Sequence, residues 1–244
     1  MPSAAAKMTS APDAASPPRF AGCSTIVELQ AAGREPFDLS LEIQPVWSLR
    51  SGGLSAYRLV REGLPPDAGP AELEEADAAT LALVDALMEE AAGEMVILQA
   101  PLSFTTLATQ RARLRLITQT QAIRERMRAS VVIEIDGLHV GVPPSRLTEV
   151  IGLVRSLCAG VVGHTRPNRA ALAAVADCGF NGLAVDGALL SLRKPDPAKR
   201  LRAFVSAARD ISGELVVHGL PHAGMMGLAA EAGFTGASIA GAAA

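Results

Sequence analysis

From Leu41 to the end of the chain, short apolar runs alternate with longer stretches of helical spacing, and this alternation restricts the fold more than any single motif does. The strand candidates are 41–49, 54–61, 95–99, 131–136, 160–163, 183–186, 215–218 and 237–239, each a short apolar run edged by glycine or a polar residue. Helices are predicted between them, at about 71–92, 104–128, 144–158, 167–178, 196–210 and 222–232. The first of these opens on Glu72, Glu74, Glu75 and Asp77, which suits a helix N-terminus, and repeats Leu81, Val84, Leu87 and Met88 at helical spacing. Gly179, Gly213 and Gly233 stand where helices should stop. Strand and helix in alternation predict an α/β fold with a parallel sheet, and eight strand candidates make a (β/α)8 TIM-like barrel the leading architecture. An open doubly wound sheet is the alternative, but no G-x-G-x-x-G or Walker signature supports its nucleotide-binding form.

Composition sets the outer limits. The 244 residues are 49% apolar and 19% charged, enough for one large core. No apolar run reaches the roughly 18 residues of a membrane span. A net charge of −3 and a pI near 5.8 give no general reason to bind nucleic acid or an anionic membrane. Three cysteines without CxxC spacing fit a reduced, cytoplasmic protein. The first 22 residues are rich in Ala, Ser and Pro and lack the apolar block of a signal peptide. Residues 1–37 are therefore read as a flexible tail, disordered to about 22, and 38–244 as the barrel domain. The chain ends shortly after the last strand candidate, so no closing eighth helix is expected. That leaves a flank to be covered by the N-terminal region, by a partner or by a second copy in a homodimer.

Residues 41–61, LEIQPVWSLRSGGLSAYRLVR, carry the sharpest functional signal. An extended run leads into Gln44-Pro45, a Ser-Gly-Gly turn follows, and a second run ends at Leu59-Val60-Arg61. This resembles the opening of EAL domains, the bacterial phosphodiesterases that hydrolyse cyclic di-GMP, whose first strand reads QPI or QPV and whose second ends in Glu-Ala-Leu-x-Arg. The resemblance extends over roughly residues 38–241, in order and spacing more than in identity. It implies two divalent metals, held by carboxylates and one Asn, that activate water against a phosphodiester.

Carried across position by position, the resemblance predicts a depleted site. The family's first metal-binding Glu falls on Tyr57, and a phenol with a reference pKa of about 10 does not replace a carboxylate toward a hard cation. Its Asn falls near Pro101. In VVIEIDG, Glu134 is retained. Its Asp-Asp pair falls on Gly163-His164, its catalytic Lys on Ala184, with Asp186 matching the Asp that follows. His218 replaces a Glu in VVHGLPH, and the final Gln-Gly falls on or near Ser238-Ile239. One clear metal-binding carboxylate cannot hold two hard ions, so the resemblance implies a degenerate member without phosphodiesterase activity and without a cofactor.

The implied role is regulatory: a cytoplasmic bacterial adaptor that acts through an unidentified protein partner. Gln44 and Arg61 match family residues that touch the nucleotide, and Arg61 could grip a phosphate in a bidentate contact. With the metals gone, weak or no cyclic di-GMP binding is expected. A receptor that binds the dinucleotide without cutting it is one alternative. Another is a hydrolase with a rebuilt metal site on His164, His218 and Glu134. All four histidines (His139, His164, His218, His222) follow strand candidates, where a barrel has its mouth. A Ser-His-Asp hydrolase is not supported, since no G-x-S-x-G elbow is present. Six arginines between Arg111 and Arg128 could dock an acidic partner, although a solvated face paired locally through Glu125 explains them as well. Met225-Met226 fits either an adaptable interface or core filling.

Overall fold

The computed structural model describes residues 19–92, 94–138 and 141–241. Its frame is a closed eight-stranded barrel with one further strand beside it. The elements are β1 (Ser24–Leu29), β2 (Phe37–Ser48), β3 (Leu54–Glu62), α1 (Pro70–Glu90), β4 (Leu98–Ser103), α2 (Phe104–Ala108), α3 (Gln110–Thr120), α4 (Arg124–Ser130), β5 (Val131–Asp136), α5 (Pro144–Arg155), β6 (Gly160–His164), α6 (Arg169–Val175), β7 (Gly182–Asp186), α7 (Pro197–Ala208), β8 (Glu214–Leu220), α8 (Met225–Ala232) and β9 (Gly236–Ile239). The strands pair in sequence order, and β2 returns to β9 through Trp47↔Ala237 and Ser48↔Gly236 to shut the cylinder.

The barrel departs from an all-parallel (β/α)8 design at one strand. β2 runs antiparallel to both its neighbours, β3 and β9, whereas β3 to β9 are parallel. The cause is the short Leu49–Gly53 connection, with Gly52 at φ +72°, which leaves room for a hairpin but not for a crossover helix. All eight strand candidates appear, and the fourth-strand boundaries move from 95–99 to Leu98–Ser103.

The N-terminal boundary needs correction. Residues 19–37, assigned from sequence to a tail, are ordered, while residues 1–18 lie outside the described residues. β1 lies antiparallel along 37–42 of β2, the part of its edge that β9 does not reach. Phe20 is buried and meets the Tyr57 ring edge-on, with centroids 5.3 Å apart. Arg19 pairs with Glu94 and donates to the Glu90 carbonyl. These anchors are scattered single residues without periodicity, which is why composition concealed them.

Helix α1 forms as its sequence prescribes. Pro70 opens it, the Glu72 carboxylate accepts from the Gly69 amide at 3.1 Å, and Ala76, Leu81, Val84, Leu87 and Met88 make a buried stripe. The single helix predicted over 104–128 is instead three, because Thr109 takes an extended conformation (φ −86°, ψ 118°) and a 3₁₀ turn at Gln121–Ile123 separates α3 from α4. Alternate strand residues face outward under the helices. They form two large apolar clusters, one on β2 to β6 and one on β7 to β9, bridged by Phe180 and Leu138. Among the described residues no helix is long and apolar enough to cross a membrane.

Candidate functional site

The inward-facing residues at the C-terminal ends of the parallel strands make the mouth, where such barrels place their chemistry. Its cavity measures about 600 Å³ and is lined by Gln44, Arg58, Asp186, Arg193, Lys194 and His218, among others.

Strand alternation decides which predicted residues reach this space. On β3, Tyr57 and Leu59 point outward into the apolar core, while Arg58, Val60 and Glu62 line the mouth. Tyr57 is thus not at the expected acid position. Its phenol packs on Phe20, and burial raises its pKa above the usual range. Arg61 is likewise withdrawn. Its side chain is 6% exposed, and it pairs with Asp77 of α1 and, at 3.1 Å, with Asp136. It is a buried structural cation rather than an open phosphate contact. Gln44 does reach the mouth, as does Asp186, whose Oδ1 accepts from the Ala188 amide at 2.7 Å.

Glu134 is the hub, with no exposed surface. Arg58 donates to it in a bidentate pair, Nη2 to Oε1 at 2.8 Å and Nε to Oε2 at 2.9 Å. His164 Nδ1 lies 2.7 Å from Oε1 and 3.1 Å from Asp136 Oδ1. The Gln99 amide donates to Oε2, and His218 Nε2 stands 3.4 Å from the same oxygen. Both carboxylate oxygens are therefore fully occupied by donors.

The electrostatics follow from these contacts. Burial alone would raise the Glu134 pKa, but Arg58 and the two histidines hold it well below the ordinary carboxylate range. Burial opposes the charge on His164, yet hydrogen bonds to Asp136 and Glu134 push its pKa up to about 10. Burial and the Arg58 charge press His218 down to about 4, despite Glu134. His164 is thus a cation and His218 neutral near pH 7. His218 Nε2 lies 3.3 Å from the Gln99 amide nitrogen as well as facing the carboxylate, and its Nδ1 lies 3.2 Å from Ser238 Oγ.

The remaining family positions offer little to a metal. Pro101, paired with Glu134 across β4 and β5, has no side-chain ligand atom. Gly163 faces outward, where an added Cβ would meet the Phe180 ring at 3.0 Å. Ala184 is fully buried beside His164 and supplies a methyl group in place of an amine. Glu134, Asp136 and His164 do bring one ligand atom each within 4.8 Å of one another. The His164 atom, however, carries the proton it shares between the two acids. The donor set does not fit a pair of hard divalent ions, because a guanidinium already takes the position a cation would need.

Sequence reasoning missed Arg58, Gln99, Asp136 and Asp77. Alternation along β3 and β4 was the available signal: Arg58 shares a face with Val60 and Glu62, and Gln99 shares one with Pro101. Asp77 was read only as a helix-start acid. It accepts from the Ser103 amide at 3.0 and 3.1 Å as well as from Arg61. His222 is exposed beyond β8, and His139 lies outside the described residues. The arginine series mostly packs on the molecule itself: Arg115 on Glu74 and Glu75, Arg126 on Asp85, Arg113 on the Leu107 carbonyl and Arg128 on the Ser156 carbonyl. Met225 is buried in the core.

No protein-family model matches the chain, and no curated protein matches it. Solved structures do. The EAL domain of Xanthomonas citri FimX in complex with c-diGMP superposes with a TM-score of 0.64 at 16% identity, over 82% of this chain and 85% of that one. The Klebsiella pneumoniae BlrP1 manganese/cy-diGMP complex gives 0.63 at 13% identity, over 89% of this chain and 58% of that one. Bacillus subtilis YkuI, a protein with an EAL domain in complex with c-di-GMP and calcium, gives 0.63 at 14% identity, over 81% and 53%. The chain thus spans little more than half the length of BlrP1 and YkuI. At these identities the likeness concerns architecture: this chain folds as an EAL-type barrel.

Proposed function

We propose that this barrel is a catalytically inactive regulatory protein of bacterial cyclic di-GMP signalling, acting in the cytoplasm through contact with another protein. The observation that carries inactivity is the state of Glu134. Its two oxygens are claimed by Arg58, His164, Gln99 and His218, so a divalent ion would have to displace a buried bidentate guanidinium to reach it. The absence of an amine at Ala184 supports the same reading. The link to the dinucleotide rests on the EAL resemblance and on neighbours solved with that ligand.

The test incubates purified protein with cyclic di-GMP and millimolar magnesium or manganese, and follows the linear product by chromatography. No product is expected, and turnover would overturn the proposal. Affinity capture from the native host then tests the adaptor role, for which a specific, stoichiometric partner is expected.

The second reading is a receptor. Gln44, Arg193 and Lys194 around a cavity of about 600 Å³ favour it, whereas the diversion of Arg61 to Asp77 weighs against it. Calorimetric titration separates the two, with micromolar or tighter binding favouring the receptor. The histidine metal site is the weakest reading, because a protonated His164 is a donor and not a ligand. Stoichiometric zinc in the purified protein, lost in His164→Ala, would restore it.

A further inference from the structure

A second cavity opens on the outer flank of the barrel, between α6 and α7 and against the segment that joins β7 to α7. Its volume is about 240 Å³, roughly that of eight water molecules. The wall is apolar: Leu172 from α6, Phe204 from α7, Leu189 and Leu190 from the connecting segment. Two guanidiniums, Arg169 and Arg200, also line it, and no carboxylate does.

Arg169 is exposed and Arg200 part-buried, whereas the Arg58 and Arg61 side chains are largely enclosed. Arg58 and Arg61 each hold a carboxylate. Among the described residues Arg169 and Arg200 have no ion pair, and Arg200 Nε is buried with no acceptor. An orphan N–H on a charged group costs more than an ordinary unmade hydrogen bond, and no polar group among the described residues holds this guanidinium in place. Leu189, 49% exposed at the rim, is a large apolar side chain left partly in water. A positive, acid-free recess with a greasy wall is therefore set into a chain of net charge −3.

We propose that this flank cavity binds a small amphipathic carboxylate, with its head on Arg200 and Arg169 and its short acyl or aryl body against Leu172, Leu189 and Phe204. The planar guanidinium fork matches a carboxylate in two parallel hydrogen bonds, and the apolar wall supplies burial for the tail. Ser191 lines both this cavity and the mouth, so an occupant braces a segment common to the two. The site is independent of the function proposed above, since no group at Glu134 takes part.

The experiment titrates hexanoate into the full chain and follows leucine methyl resonances, with hexanol as the uncharged counterpart. Saturable shifts are expected at Leu172, Leu189 and Leu190, with hexanol at least about tenfold weaker because a charge-assisted pair is lost. R200Q should weaken hexanoate about tenfold. R111Q, on the distant α3, should leave it unchanged. If R200Q does not fold, R169Q gives the same reading. Equal response to hexanol and hexanoate, no response to either arginine substitution, or no saturation by 10 mM, on the order of the weakest fragment affinities, would overturn the proposal.

Discussion

Arg58 and Glu134 set the chemistry of the mouth, and the two histidines around them give it a pH signature. His164 has a folded pKa of about 10 against 6.5 in the unfolded chain. Its contribution to stability is complete below pH 6.5 and is lost as pH rises toward 10. His218 has a folded pKa of about 4, so the unfolded chain takes up a proton first as pH falls below 6.5, and stability declines toward pH 4. Glu134, depressed further, adds to the loss on the acid side below the ordinary carboxylate range. Urea unfolding across pH should thus show greatest stability near pH 6.5, with limbs worth a few kcal/mol at about 1.4 kcal/mol per pKa unit. His164→Gln should flatten the alkaline limb and His218→Asn the acid one; unchanged limbs in both variants would refute the assignment. The sequence made His164 and His218 legible as mouth residues because they close apolar strand candidates, and Glu134 through the family pattern in VVIEIDG. It hid Arg58, since motif spacing drew attention to Tyr57 and Arg61, and only the parity of a strand reveals which side of the wall a residue faces.

Among the secondary-structure elements, β1 and the turn before it are the unforeseen addition. Phe20 is buried against Tyr57, and Gly22 donates to the Ile43 carbonyl at 3.2 Å. Phe20→Ala should cost about 3 kcal/mol, read as a lower urea midpoint with an unchanged slope. A shift within about 0.5 kcal/mol would mean that the segment is an ornament. The regular elements were legible because periods of two and of 3.6 are written in side chains. The break at Thr109 was not, since a single extended residue leaves both flanking helical patterns intact. The hairpin between β2 and β3 was visible in Ser51-Gly52-Gly53, but what it does to strand direction emerges only on closure of the ring.

At the level of the entire barrel, the outer core is two large clusters and a small one at Leu39, Leu41 and Ala76, with Phe180 and Leu138 touching both large ones. The hydrogen bonds from β6 to β7 and from β9 to β2 also join the halves, but β9 and β2 share only two residue pairs. Phe180→Ala should therefore do more than lower stability by about 2 kcal/mol. It should loosen the coupling, so that Trp47 fluorescence and far-ultraviolet circular dichroism no longer report coincident urea transitions. Coincident curves with an unchanged slope would show that the strand ladders alone hold the halves together.

The bidentate pair inside the mouth also constrains which neighbouring sequences this barrel can reach. Exchanging Arg58 for an acid sets two carboxylates face to face in a dry interior, and losing Glu134 first strands a guanidinium there. Either intermediate is costly, so in related barrels these two positions should drift together or stand still. Among homologues, a charge reversal at one should be accompanied by a compensating change at the other.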